Sequence, residues 1–250
     1  MTAVDPGRWD AFVEASEPGS YLQLSGWATV KAVNGWAAHR LMAEPAEIGA
    51  QILVRRPRPM PWGFAYAPRG PVAGAWTPDA VEALTSAFRE RLPASAGAIS
   101  HVRIDPEIEA GGPLDADGAL RRALRTSGWR PAAPIQPNAT RIIDLHPDEE
   151  ALWGDLRKKW RQYVNKARTG GLTVVEADGD RFGDFYRIYQ ETADRAGFLI
   201  RAESAYRDVW RAYAPTGHAR LLFAQAPDGE PQATLFLVRA GTRVVEPYGG

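Results

Sequence analysis

Apolar positions recur at two spacings along the chain and divide it into short helices and short strands. Over 5–15, Trp9, Phe12 and Val13 fall on one helical face. Ser25 stands where a helix cap belongs, before a second helix to Val33 that Asn34-Gly35 closes. Three strands are predicted next, over 36–43, 49–56 and 62–67, the last two joined by the Pro-rich stretch 57–61. Thr77-Pro78 opens a helix to about Leu92, with proline in its first turn. A strand over 101–104 and a helix over 115–126, ending at Gly128, complete the first half. Beyond the Pro-rich stretch 131–137 the pattern predicts a strand over 140–145. One long helix then spans 147–168, closed by Gly170-Gly171. A strand over 172–175, helices over 181–196 and 204–213, and strands over 219–225, 233–239 and 243–248 follow.

The order repeats itself. The strand-turn-strand unit 39–55 resembles the unit 218–239, whose turn is Pro227-Asp228-Gly229. In each half helices lead into this hairpin and a third strand follows it. The expectation is an α/β (α+β) protein of two tandem, duplicated domains, 1–137 and 138–250. A helix, a strand and a helix follow the third strand in the first half, and nothing comparable follows 243–248. A sheet ending there leaves an edge unpaired, so a second domain truncated at its C-terminus is expected.

Composition narrows the chemistry. The chain has 250 residues, 45% hydrophobic and 24% charged, ordinary for a globular protein. Thirty basic residues balance 30 acidic ones, so an anionic partner must be met by a local patch. The absence of cysteine excludes disulfides, thiolate metal sites and thiol nucleophiles. His39, His101, His146 and His218 are far apart, with no HExxH or paired-carboxylate pattern, so no metal site is expected. Neither a P-loop nor GxGxxG occurs. With no signal-peptide pattern and no long apolar run, a cytoplasmic location is the default expectation.

The lysines are Lys31, Lys158, Lys159 and Lys166. On the long helix, Leu152, Leu156, Trp160, Tyr163, Val164 and Ala167 form one apolar stripe. Around it stand Arg157, Lys158, Lys159, Arg161, Lys166 and Arg168. This is either a solvated face or a patch for tRNA phosphate or anionic lipid.

Several stretches resemble the Fem family of aminoacyl-tRNA-dependent peptidyl transferases. They are 21–27 with Lys31 and Gly35-Trp36, then 66–72, then 138–145, then 149–171, then the set Thr192, Arg195, Gly197-Phe198, Arg201 and Tyr206, and last Tyr248-Gly249-Gly250. Six motifs in the right order cover nearly the whole chain. The resemblance implies two tandem acyltransferase domains of the GNAT type and the compact subtype without a coiled-coil arm. It also implies a late Phe-Lys pair that contributes to catalysis and is not in this sequence.

The implied reaction transfers an amino acid from aminoacyl-tRNA, as co-substrate, to the stem-peptide amine of a peptidoglycan precursor. That precursor is a lipid- or nucleotide-linked muropeptide, no cofactor or metal is needed, and no general base is assigned. The resemblance places Lys31 and Arg201 on the precursor diphosphate in one cleft, with Tyr206 and Tyr248 as neighbouring substrate contacts. Ala205 stands where many relatives have tyrosine. The alternatives are a surface lysine at Lys31, an ion pair from Arg201 to Glu203 or Asp194, and a core aromatic at Tyr248. The patch of Lys158, Lys159, Arg161 and Lys166 is expected to meet tRNA or the inner membrane face. A monomer is expected. The competing functions are a tRNA-dependent or CoA-dependent N-acyltransferase acting on a small-molecule amine, and a non-catalytic binder of precursor or tRNA. Gln23 to Ala28 fits the short acyl-CoA pattern [QR]xxGx[GA], whose few fixed positions arise readily by chance.

Overall fold

The computed structural model describes residues 4–137 and 139–250. Asn138, the first residue of one resembling motif and of the expected second domain, lies outside them. Among the described residues the fold is mixed α/β, with two sheets. The chain divides into two compact units. The first is Met1–Gln136 with Arg211–His218 and Arg239–Val244; the second is Pro137–Trp210 with Ala219–Val238 and Val245–Gly250.

The first unit opens with α1 (Pro6–Ala15), a 3-10 turn (Tyr21–Gln23) and α2 (Ser25–Ala32). Asp5 caps α1 through the Arg8 N–H at 3.0 Å. Ser25 is the first residue of α2 rather than its cap. The cap comes from α1, where the Asp10 carboxylate accepts the Ser25 N–H at 2.6 Å and also the Ser25 hydroxyl. An ionised acceptor at a helix N-terminus satisfies a free N–H and favours the dipole.

Then come β1 (Ala37–Ala43), β2 (Ile48–Arg55), β3 (Gly63–Ala67), the two-residue β4 (Val72–Ala73), α3 (Pro78–Ala96), β5 (Ile99–Ile104) and α4 (Ala119–Thr126). The sheet order is β1-β2-β3-β5, with β4 beside β2. β1 and β2 pair antiparallel from Ala37 with Val54 to Ala43 with Ile48, and β3 and β5 run parallel. Strand period two assigns β2 two buried faces. Ile48, Ala50, Ile52 and Val54 pack with Ala80, Leu84, Ala87, Phe88 and Leu92 of α3. On the other face, Gly49 approaches the Trp9 ring so closely that a Cβ would lie 2.9 Å from it. Helix α4 starts later than the sequence predicts, because Asp115 is held by its own contacts. Its buried carboxylate accepts the Leu120 N–H at 2.9 Å and Arg121 Nε at 2.6 Å, so it acts from before the helix.

The second unit contains α5 (Glu149–Asp155), α6 (Lys158–Thr169), β6 (Thr173–Ala177), α7 (Phe182–Ala196) and most of α8 (Glu203–Tyr213). Strands β7 (Ala219–Gln225), β8 (Pro231–Ala240) and β9 (Arg243–Gly249) complete the sheet order β6-β7-β8-β9. Phe182, Phe185, Ile188, Val209, Leu221, Phe223, Phe236 and Val238 are buried there, with the Phe236 ring 6.0 Å from Phe182 and 5.6 Å from Phe185.

Two expectations fail here. Residues 140–145 form no strand, and Ile142, Ile143 and Leu145 are exposed. Alternation licenses a strand only where a neighbouring strand takes up its backbone groups. The predicted long helix breaks into two at Leu156, whose ψ of 132° is extended. Gly154-Asp155 weakens the helix there. Arg161 then turns back to donate to the Gly154 carbonyl at 2.7 Å, closing α5. No helix among the described residues is long and apolar enough to cross a membrane.

Candidate functional site

In the first unit, Lys31 and Trp27 stand four residues apart on α2, so they share a helix face. The Lys31 ammonium lies 4.6 Å from the Trp27 ring centroid, within cation–π range. The helix that carries them is fixed from below. A Cβ on Gly26 would come to 2.8 Å from the Tyr213 ring, and the Tyr213 hydroxyl donates to the Tyr21 carbonyl at 2.6 Å. Gln23, fully buried, ties the preceding turn to the sheet. Its amide donates to the Pro68 carbonyl at 2.8 Å, and its oxygen accepts the Gln51 N–H at 2.8 Å. The Gln51 side chain returns a bond to the Leu24 carbonyl at 2.8 Å. The glutamine of the resembling motif therefore places α2.

A second cluster of the first unit was not singled out by sequence, beyond the resemblance of 66–72. The Tyr66 hydroxyl donates to Asp105 at 2.7 Å, and the Arg69 N–H donates to the same carboxylate at 2.6 Å. Arg69 has φ of 49°, a left-handed conformation that this carboxylate helps to hold. Its guanidinium pairs with Glu107 at 3.2 Å, and Arg243 reaches Glu107 at 2.6 Å. Burial raises the Asp105 carboxyl above its usual range, opposed by the Tyr66 and Arg69 hydrogen bonds and by the charges of Arg69 and Arg103. Burial also pushes the Tyr66 phenol well up, against the Gln136 hydrogen bond and with help from Asp105. Tyr66 thus stays a donor, and Asp105 is a carboxyl with raised proton affinity. The available signal was Asp105-Pro106, an acid at the end of a predicted strand.

In the second unit, Arg201, Tyr206 and Tyr248 come together. Helix α7 ends at Gly197 with φ of 73°, and the Gly197 and Phe198 N–H groups both donate to the Ala193 carbonyl, at 2.7 and 3.1 Å. The segment to α8 is pinned at its far end too. The Arg201 N–H donates to the Tyr206 hydroxyl at 2.9 Å, and the Tyr186 hydroxyl donates to the Arg201 carbonyl at 3.1 Å. Tyr206 is buried, its ring 4.8 Å from Tyr248 and 5.4 Å from Tyr189. The Tyr248 phenol is pushed up to about 12, first by burial, with Tyr206 and Tyr189 adding and Arg201 opposing. It is therefore a neutral hydrogen-bond donor at physiological pH. Glu203 pairs with Arg207, and the exposed Arg201 guanidinium has no carboxylate partner among the described residues.

The basic helix lies apart in character. No residue of α5 or α6 is buried, so the predicted stripe is not a core face: Trp160 and Tyr163 are exposed. Lys158, Lys159 and Lys166 are exposed as well, with Lys159 5.6 Å from the Tyr163 ring. Arg161 is engaged by the carbonyls at the end of α5.

Comparison with known proteins adds four findings. The FemAB family matches residues 5–112 and 125–235. A lipid II:glycine glycyltransferase of Staphylococcus saprophyticus subsp. saprophyticus is 30% identical over 233 residues, 90% of this chain and 55% of that protein. The protein of the same name from Staphylococcus aureus (strain MRSA252) is 29% identical over 223 residues, 86% of this chain and 52% of its own. The chain thus spans about half the length of these curated relatives. The crystal structure of FemX superposes with a TM-score of 0.84 at 20% identity, over 100% of this chain and 79% of that one, a likeness of fold. The chain belongs to the FemAB family.

Proposed function

We propose that this chain is part of an aminoacyltransferase that transfers an amino acid from aminoacyl-tRNA to the stem-peptide amine of a lipid- or nucleotide-linked muropeptide. The amine attacks the ester carbonyl. A C–N bond forms, the C–O bond to the tRNA ribose breaks, and the amine proton ends on the ribose oxygen. The ester supplies the driving force, so the protein's tasks are to hold both partners close and to stabilise the developing oxyanion. No cofactor beyond the tRNA co-substrate enters this scheme.

The observation that carries the reading is the pinned arginine. Arg201 presents a guanidinium with no carboxylate partner among the described residues, beside the neutral phenol of Tyr248, and both its backbone polar groups are held by tyrosines. A planar guanidinium fork held in this way suits a diphosphate. Lys31, its ammonium over the Trp27 ring, is proposed as a phosphate-binding cation of the first unit. Tyr206 is proposed as a positioning residue for Arg201, and Tyr248 as a donor to the precursor. Lys158, Lys159 and Lys166 of α6 are proposed to meet tRNA phosphates. The curated relatives' name, lipid II:glycine glycyltransferase, favours the lipid-linked acceptor.

The test is binding of a nucleotide-linked muropeptide by calorimetry. Loss of a charged hydrogen bond in Arg201→Ala is expected to weaken binding by about 1.5–3 kcal/mol. Arg201→Lys is expected to restore part of it, since an ammonium cannot reproduce the fork. Equal affinity of all three proteins defeats the assignment.

A further inference from the structure

The loop between α7 and α8 carries the most exposed large apolar side chain of the described residues. Leu199 is 101% exposed, and the preceding Phe198 is 42% exposed. Neither value reflects a loose segment. The αL turn at Gly197 fixes one end of the loop, and the two tyrosine hydroxyls on the Arg201 backbone fix the other. Phe198 leans its ring on Tyr189 at 5.8 Å, so the tip keeps its shape while Leu199 projects from it. The cations Arg195 and Arg201 flank this tip, both exposed. Nearby Glu203 is neutralised by Arg207, leaving Asp194 as the exposed acid beside them. An apolar tip between cations matches an anionic bilayer, whose surface attracts the charges and whose interior accepts the leucine.

We propose that residues 198–200 insert into an anionic membrane surface and so set the height of Arg201 above it. The inference rests on the function proposed above and deepens it. A lipid-linked precursor holds its diphosphate at the membrane surface, where the carrier chain leaves the headgroup region. Two residues of chain reach at most about 7 Å. An Arg201 that contacts this diphosphate therefore carries Leu199 to the interface. RNA has no comparable use for an aliphatic tip, because its contacts are phosphates, sugar hydroxyls and stacked bases.

The experiment uses the full-length protein and Leu199→Glu, a position outside the proposed binding residues. Binding is read by co-sedimentation with vesicles of phosphatidylglycerol and phosphatidylcholine. Transfer is read on two acceptors, a lipid-linked muropeptide in those vesicles and a water-soluble nucleotide-linked one. Leu199→Glu is expected to bind vesicles at least about tenfold more weakly. It is expected to lose transfer to the vesicle-borne acceptor and to keep transfer to the soluble one. Leu199→Phe is expected to retain both. Unchanged vesicle binding by Leu199→Glu overturns the proposal, as does an equal loss on both acceptors. So does a loss confined to binding of an acceptor-stem RNA hairpin. Failure of the function itself reads differently: the unaltered protein then transfers to neither acceptor, whatever its vesicle binding.

Discussion

Replacing Gln23 by leucine tests how the first unit holds α2 in place. The side chain is fully buried and of similar size to leucine, so the exchange leaves little cavity. It removes the acceptor of the Gln51 N–H and the donor to the Pro68 carbonyl, both at 2.8 Å. A third, longer bond to the Gln51 carbonyl at 3.3 Å goes as well. Each buried group left without a partner costs about 1–3 kcal/mol, and the two main bonds together predict a loss of about 2–6 kcal/mol. Gln23→Ala is expected to lose more, through the added cavity. Urea unfolding followed by tryptophan fluorescence reads the effect as a lower midpoint at unchanged slope.

Gln23→Glu sharpens the test. Its carboxylate still accepts from Gln51, but ionised it faces the Pro68 carbonyl with no proton to donate. Burial and that carbonyl raise its folded-state pKa above the unfolded value. The folded protein then holds the extra proton between the two pKa values, and stability falls as pH rises through that window. Protonated at low pH, the acid donates to Pro68 and recovers part of the loss. A leucine variant within about 0.5 kcal/mol of the parent refutes the account. A glutamate deficit that does not change with pH refutes it too.

Asp10→Ala is expected to cost about 1–2 kcal/mol and to speed amide exchange in α2, whereas Ser25→Ala is expected to cost less. Equal costs would place the cap on the wrong residue. In an alkaline absorbance titration, Tyr248→Phe is expected to remove a phenol that titrates near 12, and Arg201→Ala to move that phenol higher. Because the folded phenol is raised, the stability linked to it is full below the ordinary value of about 10 and is lost as pH rises toward the folded one. A Tyr248 that titrates as a free phenol contradicts its burial. Lys158→Glu with Lys166→Glu is expected to weaken tRNA binding and to lower the salt slope by about 2, one phosphate for each lysine. An unchanged slope leaves α6 a solvated face.

The sequence by itself determined what local pattern controls. The strands now seen as β1, β2 and β3, and again as β7, β8 and β9, were legible because alternation and turn residues act over a few positions. Helices α1, α3, α7 and α8 were legible from their 3.6-residue stripes and caps. Family membership was legible because it rests on ordered motifs rather than on geometry. Tertiary structure decided what depends on partners distant in sequence. Asp10 caps a helix that Ser25 alone seemed placed to cap, because two helices pack. Residues 140–145 stay unpaired because a strand needs a neighbour, which no local pattern supplies. The stripe across α5 and α6 broke where Arg161 could close the first helix, a contact between residues seven apart. Gln23 and Asp105 look like ordinary polar residues in sequence. Only folding brings Gln23 to a buried carbonyl 45 positions away and Asp105 to a phenol 39 away. Residues 211–218 and 239–244 likewise join the first unit through contacts such as Tyr213 to Tyr21 and Arg243 to Glu107. Such contacts are set by side-chain packing across the fold, and sequence spacing carries no record of them.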